Sequence, residues 1–169
     1  MDETFIGRDF GKKPKGVKKG RGFAHKNKVL SLVDRESGKA CSMGVDDLKT
    51  STLLPLLKAN ISADARVRTD EAGQYKQVGA RFADHGYTRH GQGEYVSKID
   101  RTLHTNTIEG IFSAFKRGMK GIYQHCGHNH LNRYVTEFNF RYNNRVANGI
   151  NDAQRADILL LGVVGKRLS

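Results

Sequence analysis

The first seven residues, Met1-Asp2-Glu3-Thr4-Phe5-Ile6-Gly7, put Thr4 and Ile6 on one side and Phe5 on the other. That alternation, closed by a glycine, predicts a short β-strand. Residues 29–33 and 39–43 predict two more strands, joined through Asp34-Arg35-Glu36-Ser37-Gly38, whose Ser-Gly pair marks a turn. Asp46-Asp47 offers an N-cap and an acidic first turn to a helix reaching about Ala59, with Leu48, Leu53, Leu54, Leu56 and Leu57 as its apolar side. Pro55 falls inside that helix and predicts a kink or a break, because proline has no amide hydrogen and its ring crowds the preceding turn. Residues 65–70 alternate as a strand and end on an acid, Asp70. A short helix over 75–82 and a strand over 86–90 follow.

The last third reads as helix. Ile108, Ile111, Phe112, Phe115, Met119 and Ile122 recur at three-and-four spacing and predict a helix over 106–123. A second helix is expected over 129–144, with Leu131, Tyr134, Val135, Phe138 and Tyr142 inward, and a third over 152–161. Strands first, a mixed middle and helices last predict an α/β domain with a mixed sheet.

Composition narrows this to one domain, since 169 residues with 37% hydrophobic content can enclose a single core. Twenty-nine Lys and Arg against 17 Asp and Glu leave a net charge of +12, which calls for a polyanionic partner, and nucleic acid is the commonest. A membrane partner is disfavoured: the most apolar run, Ile158 to Val164, is far short of the roughly 18 residues of a spanning helix. Residues 11–28 hold eight Lys or Arg and no acid. Such a loop cannot pack on itself and is expected to contact phosphates, with Lys18, Lys19 and Arg21 central in it. Cys41 and Cys126 form no CxxC pair, so neither a disulfide framework nor an ordinary zinc site is expected, and Cys41 on a strand reads as a small buried hydrophobe. The start of the chain has no charged-then-apolar leader, which suggests a reducing, intracellular home.

Candidate chemistry lies in the acids. Asp2 sits on the first strand, Asp70 at the end of a later one, and Glu109 in the first turns of the strongest helix. Carboxylates from two strands and a helix can converge on hard cations such as Mg²⁺. Two such ions can hold the attacking and leaving oxygens of an in-line phosphoryl displacement. Asn106 and Glu109 are three apart and share a helix side, and Lys116 returns to nearly the same azimuth two turns on. Lys116 and Arg117 are therefore expected to meet a DNA phosphate beside the metals. His125-Cys126-Gly127-His128-Asn129-His130 lacks zinc-finger spacing and reads as a turn with a helix cap. Tyr134 and Phe138, at helical spacing, read as core rather than as a base-stacking platform.

Several motifs occur together and in order. They are Asp2-Glu3-Thr4-Phe5-Ile6-Gly7, Gly20-Arg21-Gly22, Thr69-Asp70-Glu71, His104-Thr105-Asn106-Thr107-Ile108-Glu109-Gly110 with Lys116-Arg117-Gly118, and Leu131-Asn132-Arg133-Tyr134 leading to Glu137-Phe138 and Phe140-Arg141-Tyr142-Asn143. Over 2–145 they resemble the catalytic domain of bacterial insertion-sequence transposases of the ISXO-like group. The resemblance implies a ribonuclease-H-like mixed sheet flanked by helices over 1–145, with a C-terminal helical extension over 146–169. It implies a DDE-type site in which Asp2 and Asp70 bind Mg²⁺ or Mn²⁺, two ions in all. The third corner falls to Asn106, the residue type this group often has there, or to Glu109, the stronger ligand. The reaction implied is phosphodiester hydrolysis at element ends followed by strand transfer to target DNA, in the bacterial cytoplasm near the nucleoid, by a homo-oligomer. Relatives carry a zinc-ribbon and helix-turn-helix region ahead of this domain, and nothing like it precedes Asp2. A fragment, a decayed copy, or a core that needs help to find its ends is therefore expected. A non-catalytic nucleic-acid-binding remnant and a ribonuclease-H-like nuclease are the competing readings.

Overall fold

The structure, a computed structural model, describes residues 1–7, 23, 25–70, 72, 73, 75, 78, 81–88 and 106–166. The chain is mixed α/β. Strands β1 (Asp2–Ile6), β2 (Asn27–Val33) and β3 (Ala40–Val45) form an antiparallel sheet in the order β1-β2-β3. Strands β4 (Arg66–Asp70) and β5 (Asp84–Thr88) form a parallel pair. The helices are α1 (Thr50–Asn60), α2 (Asn106–Gly118), α3 (Leu131–Asn143) and α4 (Asp152–Leu161). Gly73, Tyr75 and Val78 are also helical, which is all that is described of the helix expected over 75–82. Most of the basic loop expected over 11–28, with Lys18, Lys19 and Arg21, lies outside the described residues, as does His90. The loop's end is corrected, because β2 already begins at Asn27 and takes Lys28 into the ladder opposite Phe5.

Alternation divides the antiparallel sheet into two working faces. Register sets Asp2 opposite Ser31 and Ser31 opposite Ser42, so Asp2, Thr4, Ile6, Val29, Ser31 and Ser42 share a face. Ile6 and Val29 pack there against Phe115 and Met119 of the α2 stretch and Leu131 and Val135 of α3. The hydroxyls of Ser31 and Ser42 bond each other at 2.7 Å, which satisfies two buried polar groups at once. The opposite face carries Leu30, Leu32 and Val45, buried with Leu53 and Leu57 of α1 and with Tyr75 and Val78.

Three amides from α3 reach the backbone of β3. Asn132 accepts from Gly44 N at 2.8 Å. Asn139 accepts from Ser42 N at 2.9 Å and donates to Ser42 O at 2.8 Å. Asn143 does the same at Ala40, at 2.7 and 2.8 Å. Spacings of seven and four keep all three on one side of the helix. Gly44 permits the approach: a Cβ there would lie 2.8 Å from both Asn132 Oδ1 and Leu131 Cδ2.

Other expectations are corrected. Helix α1 starts at Thr50 rather than at Asp46-Asp47, because Asp47 Oδ1 accepts Lys49 N at 3.0 Å in a turn and Lys49 O is the first carbonyl to receive helical amides. Pro55 does not break α1. The amide it lacks would have paired with Ser51 O, and both residues are exposed, so water can serve that carbonyl. Ile122, expected in the buried stripe, is 75% exposed. Met119–Tyr123 form a π-helical turn, whose extra residue per turn rotates Ile122 outward and brings Tyr123 onto Tyr134 at 4.8 Å. Cys41 is exposed rather than buried, on the Leu32 side of β3 at the C-terminal end of α1, with Sγ 3.8 Å from Asn60 Oδ1.

Candidate active site

The two sheets meet where β1 begins. The Met1 amine donates to Arg68 O at 2.5 Å and sets the start of β1 alongside β4. Asp2 and Asp70 thereby become neighbours, one on the first residue of β1 and the other on the last of β4. Burial pushes the Asp2 carboxyl up from its ordinary 3.8 to about 7; the Glu3 amide, donating to Asp2 Oδ1 at 2.8 Å, pulls it down, and the charges of Asp70 and Glu3 add to the rise. Asp70 is oriented by its own turn, with Oδ1 accepting Ala72 N at 3.0 Å. On the other face of β1, the hydroxyl of the fully buried Tyr75 donates to the Glu3 carboxylate. Burial, with the charges of Glu3, Asp2 and Asp70, drives that phenol far above its usual range. Asp2 and Asp70 thus share the junction of β1 and β4, while Glu3 turns to the opposite face of β1 and Tyr75.

Helix α2 starts beside this junction. Thr107 and Ile108 line an open cleft of about 1270 Å³ together with Met1, Val67 and Arg68. Asn106 and Glu109, in the same turn, are both exposed. Among the described residues no three His, Cys, Asp or Glu side chains gather closely enough to hold one ion. The structure therefore brings Asp2 and Asp70 together, with Glu109 on an adjacent element but outside any three-acid cluster. Lys116 (half-buried) and Arg117 (exposed) sit in the last turn of α2, where their charges also complement the carbonyl end of the helix dipole. Two turns of helix, about 10 Å, separate Lys116 from Glu109.

The family model of the ISXO2-like transposase domain matches residues 1–143, from the strand bearing Asp2 to the last residue of α3. The chain belongs to this family. No curated protein and no solved structure matches it. As an ISXO2-like transposase domain it has a transposase-related function, with DNA as the implied partner. Among the described residues no helix is long and apolar enough to cross a membrane.

Within this transposase domain the His-Cys segment has a structural role. His128 Nδ1 lies 3.2 Å from Asn27 Oδ1, and His128 Nε2 lies 3.6 Å from Asp46 Oδ1. Asn27, itself buried, donates to Cys126 O at 3.4 Å. The segment ties the α2–α3 connection to β2, with a 3₁₀ turn at His128–His130 leading into α3 and no side-chain cap. Tyr134 and Phe138 pack on the α2–α3 core, Phe138 edge-on to Phe115 at 5.2 Å.

The sequence reading overlooked basic residues on the cleft wall: Arg35, Lys39, Arg66 and Arg68. Arg68 pairs with Asp84 at 2.9 Å. The signal was present in Arg66-Val67-Arg68-Thr69, whose alternation buries Val67 and Thr69 and turns both arginines the other way.

Proposed function

We propose that this chain is the catalytic core of a DDE-type DNA transposase, with Asp2 and Asp70 holding divalent cations, Mg²⁺ or Mn²⁺. The single observation that supports this most is the meeting of Asp2 and Asp70 at the β1–β4 junction, with Asp2 pushed up to about 7. The donor set suits the ion: carboxylate oxygens are hard ligands, and a cation would relieve the burial and like-charge repulsion that now favour the protonated acid. When bound, two such ions activate water or a 3′-hydroxyl and stabilise the leaving oxygen of the phosphodiester. The chain's own part is to position and to neutralise. Asp2 gives up its proton as the cation binds, and Asp70 is kept in place by the Ala72 amide. Either Glu109 or Asn106 supplies the third corner from the first turn of α2, Glu109 as the stronger ligand. Lys18, Lys19 and Arg21, with Lys116 and Arg117, neutralise DNA phosphates, and the arginines of β4 extend that surface into the cleft.

A ribonuclease-H-like arrangement is supported by the order β3-β2-β1, antiparallel, beside the parallel pair β4-β5. In this reading 1–145 form the catalytic domain and 146–169 a helical tail, at work in the bacterial cytoplasm near the nucleoid. A non-catalytic DNA-binding remnant is favoured by one observation, that no three-acid cluster forms among the described residues. Metal-dependent nicking and joining of labelled element ends, with wild type against Asp70→Asn, separates the readings. The transposase reading expects Asp70→Asn to lose nicking by at least a hundredfold while keeping DNA affinity. Equal nicking by both proteins, or none by either with end-binding supplied by a fused domain, would overturn it. Nicking without joining would mark a nuclease.

A further inference from the structure

Asp2 and Asp70 lie in different sheets, so among the described residues no ladder of strand hydrogen bonds sets the distance between them. A second route does connect them. Asp70 Oδ1 accepts Ala72 N at 3.0 Å, and Ala72 O accepts Tyr75 N at 3.0 Å. The Tyr75 hydroxyl then donates to Glu3 Oε2, and Glu3 N donates to Asp2 Oδ1 at 2.8 Å. Four successive hydrogen bonds thus run from one carboxylate to the other. Three of them are local in the chain. The bond from Tyr75 to Glu3 is the one that crosses between the two segments, over 72 residues.

That crossing bond is held from the apolar side. Tyr75 is fully buried among Leu30, Leu53 and Val78, so its ring cannot swing away without opening a close-packed core. Ala72, whose amide orients Asp70, packs against the same cluster. Glu3 pairs with Leu30 in the ladder and shares its face of β1, while Asp2, the neighbouring residue, takes the other face. A charged carboxylate can only accept, so the phenol is the donor, and the bond is of the stronger, charge-assisted kind.

We propose that Tyr75 is a positioning residue for the metal site, fixing the spacing of Asp2 and Asp70 through Glu3 from the far side of β1. The proposal rests on the reading of Asp2 and Asp70 as cation ligands. Partners behind a ligating carboxylate orient it, and losing them weakens the hold on the ion. A hydroxyl buried this deeply needs an acceptor in any case, and a bond that met only that need would change stability and leave ion affinity alone. The two roles therefore part in the folded protein.

The test is calorimetric titration of Mn²⁺ into the full chain without DNA, with a native circular-dichroism spectrum confirmed for each variant first. Tyr75→Phe keeps the ring and removes the hydroxyl, and is expected to weaken Mn²⁺ binding by about tenfold or more. Glu3→Gln keeps a carbonyl oxygen that can accept from the phenol, and is expected to bind Mn²⁺ close to the wild-type level. Glu3→Ala is expected to fall as far as Tyr75→Phe, and combining the two to cost nothing further, because both break the same bond. Wild-type affinity in Tyr75→Phe, or a loss in Glu3→Gln as large as in Glu3→Ala, would overturn the proposal. Should Tyr75→Phe fail to fold, the contrast between Glu3→Gln and Glu3→Ala decides alone. A wild type that binds no Mn²⁺ would instead sink the metal-site reading on which the proposal stands.

Discussion

At the scale of single residues, Asp2 reports on the junction it occupies. Its folded-state pKa lies near 7 against an ordinary 3.8, so the folded protein holds this proton more tightly than the unfolded chain does. Its contribution to stability is complete below about pH 4 and is lost as the pH rises through 7. The Met1 amine works in the opposite sense: burial lowers it from 8.0 to about 6, so its contribution is present above pH 8 and lost as the pH falls through 6. Metal-free protein is therefore expected to be least stable between about pH 6 and 7, as read by urea midpoints in a chelator. Asp2→Asn should remove the fall on the acid side of that minimum. Saturating Mg²⁺ should raise the wild-type midpoint at pH 7, by about 2.7 kcal/mol at a hundredfold excess over Kd, and leave Asp2→Asn unmoved. The places of the acids in the fold were legible in the sequence, Asp2 at the start of a strand, Asp70 at the end of one and Glu109 in the first turn of a helix. Their environment was not, since the Tyr75–Glu3 bond and the Met1–Arg68 contact span 72 and 67 residues.

At the scale of elements, apolar periodicity located most strands and helices among the described residues and failed where local geometry left the regular period. Ile122 fitted a 3.6-residue repeat, but the chain widens to a π turn at Met119, and nothing in Met119-Lys120-Gly121-Ile122-Tyr123 announces that. The role of the asparagines of α3 was not legible, for the reverse reason. Polar residues on a helix side normally read as solvated, and Asn132, Asn139 and Asn143 acquire meaning only when β3 lies beside them. Asn139→Ala strips both the acceptor and the donor of Ser42's backbone. A cost of about 1–3 kcal/mol in urea unfolding is expected. Hydrogen exchange should show faster loss at the Ser42 amide than at the amide of Leu30 in the strand beside it. An unchanged Ser42 protection factor would show that water replaces the side chain at no cost.

At the scale of the whole molecule, the α/β class and the element order were readable, but the pairing of strands into two small sheets was not. Order along a chain leaves strand adjacency open, and here one backbone contact joins β1 to β4. Net charge was readable at once, and its consequence can be measured. With +12 overall and basic residues on both the cleft wall and α2, DNA affinity should depend steeply on salt. If six or more phosphates are neutralised, binding weakens by about 10³-fold or more between 50 and 200 mM salt. A nearly flat salt response would argue against a phosphate-tracking surface.

The three amides on β3 also bear on how the chain folds without clumping. They occupy donor and acceptor positions along the outer side of that strand, where an extended segment from another molecule would otherwise pair. The sheet's rim is thus closed by side chains rather than by a further strand. Until α3 has docked, that rim stands open beside apolar strands. Any opening that frees α3 while the sheet persists would expose that rim, so weakening the amides is expected to raise the tendency to aggregate.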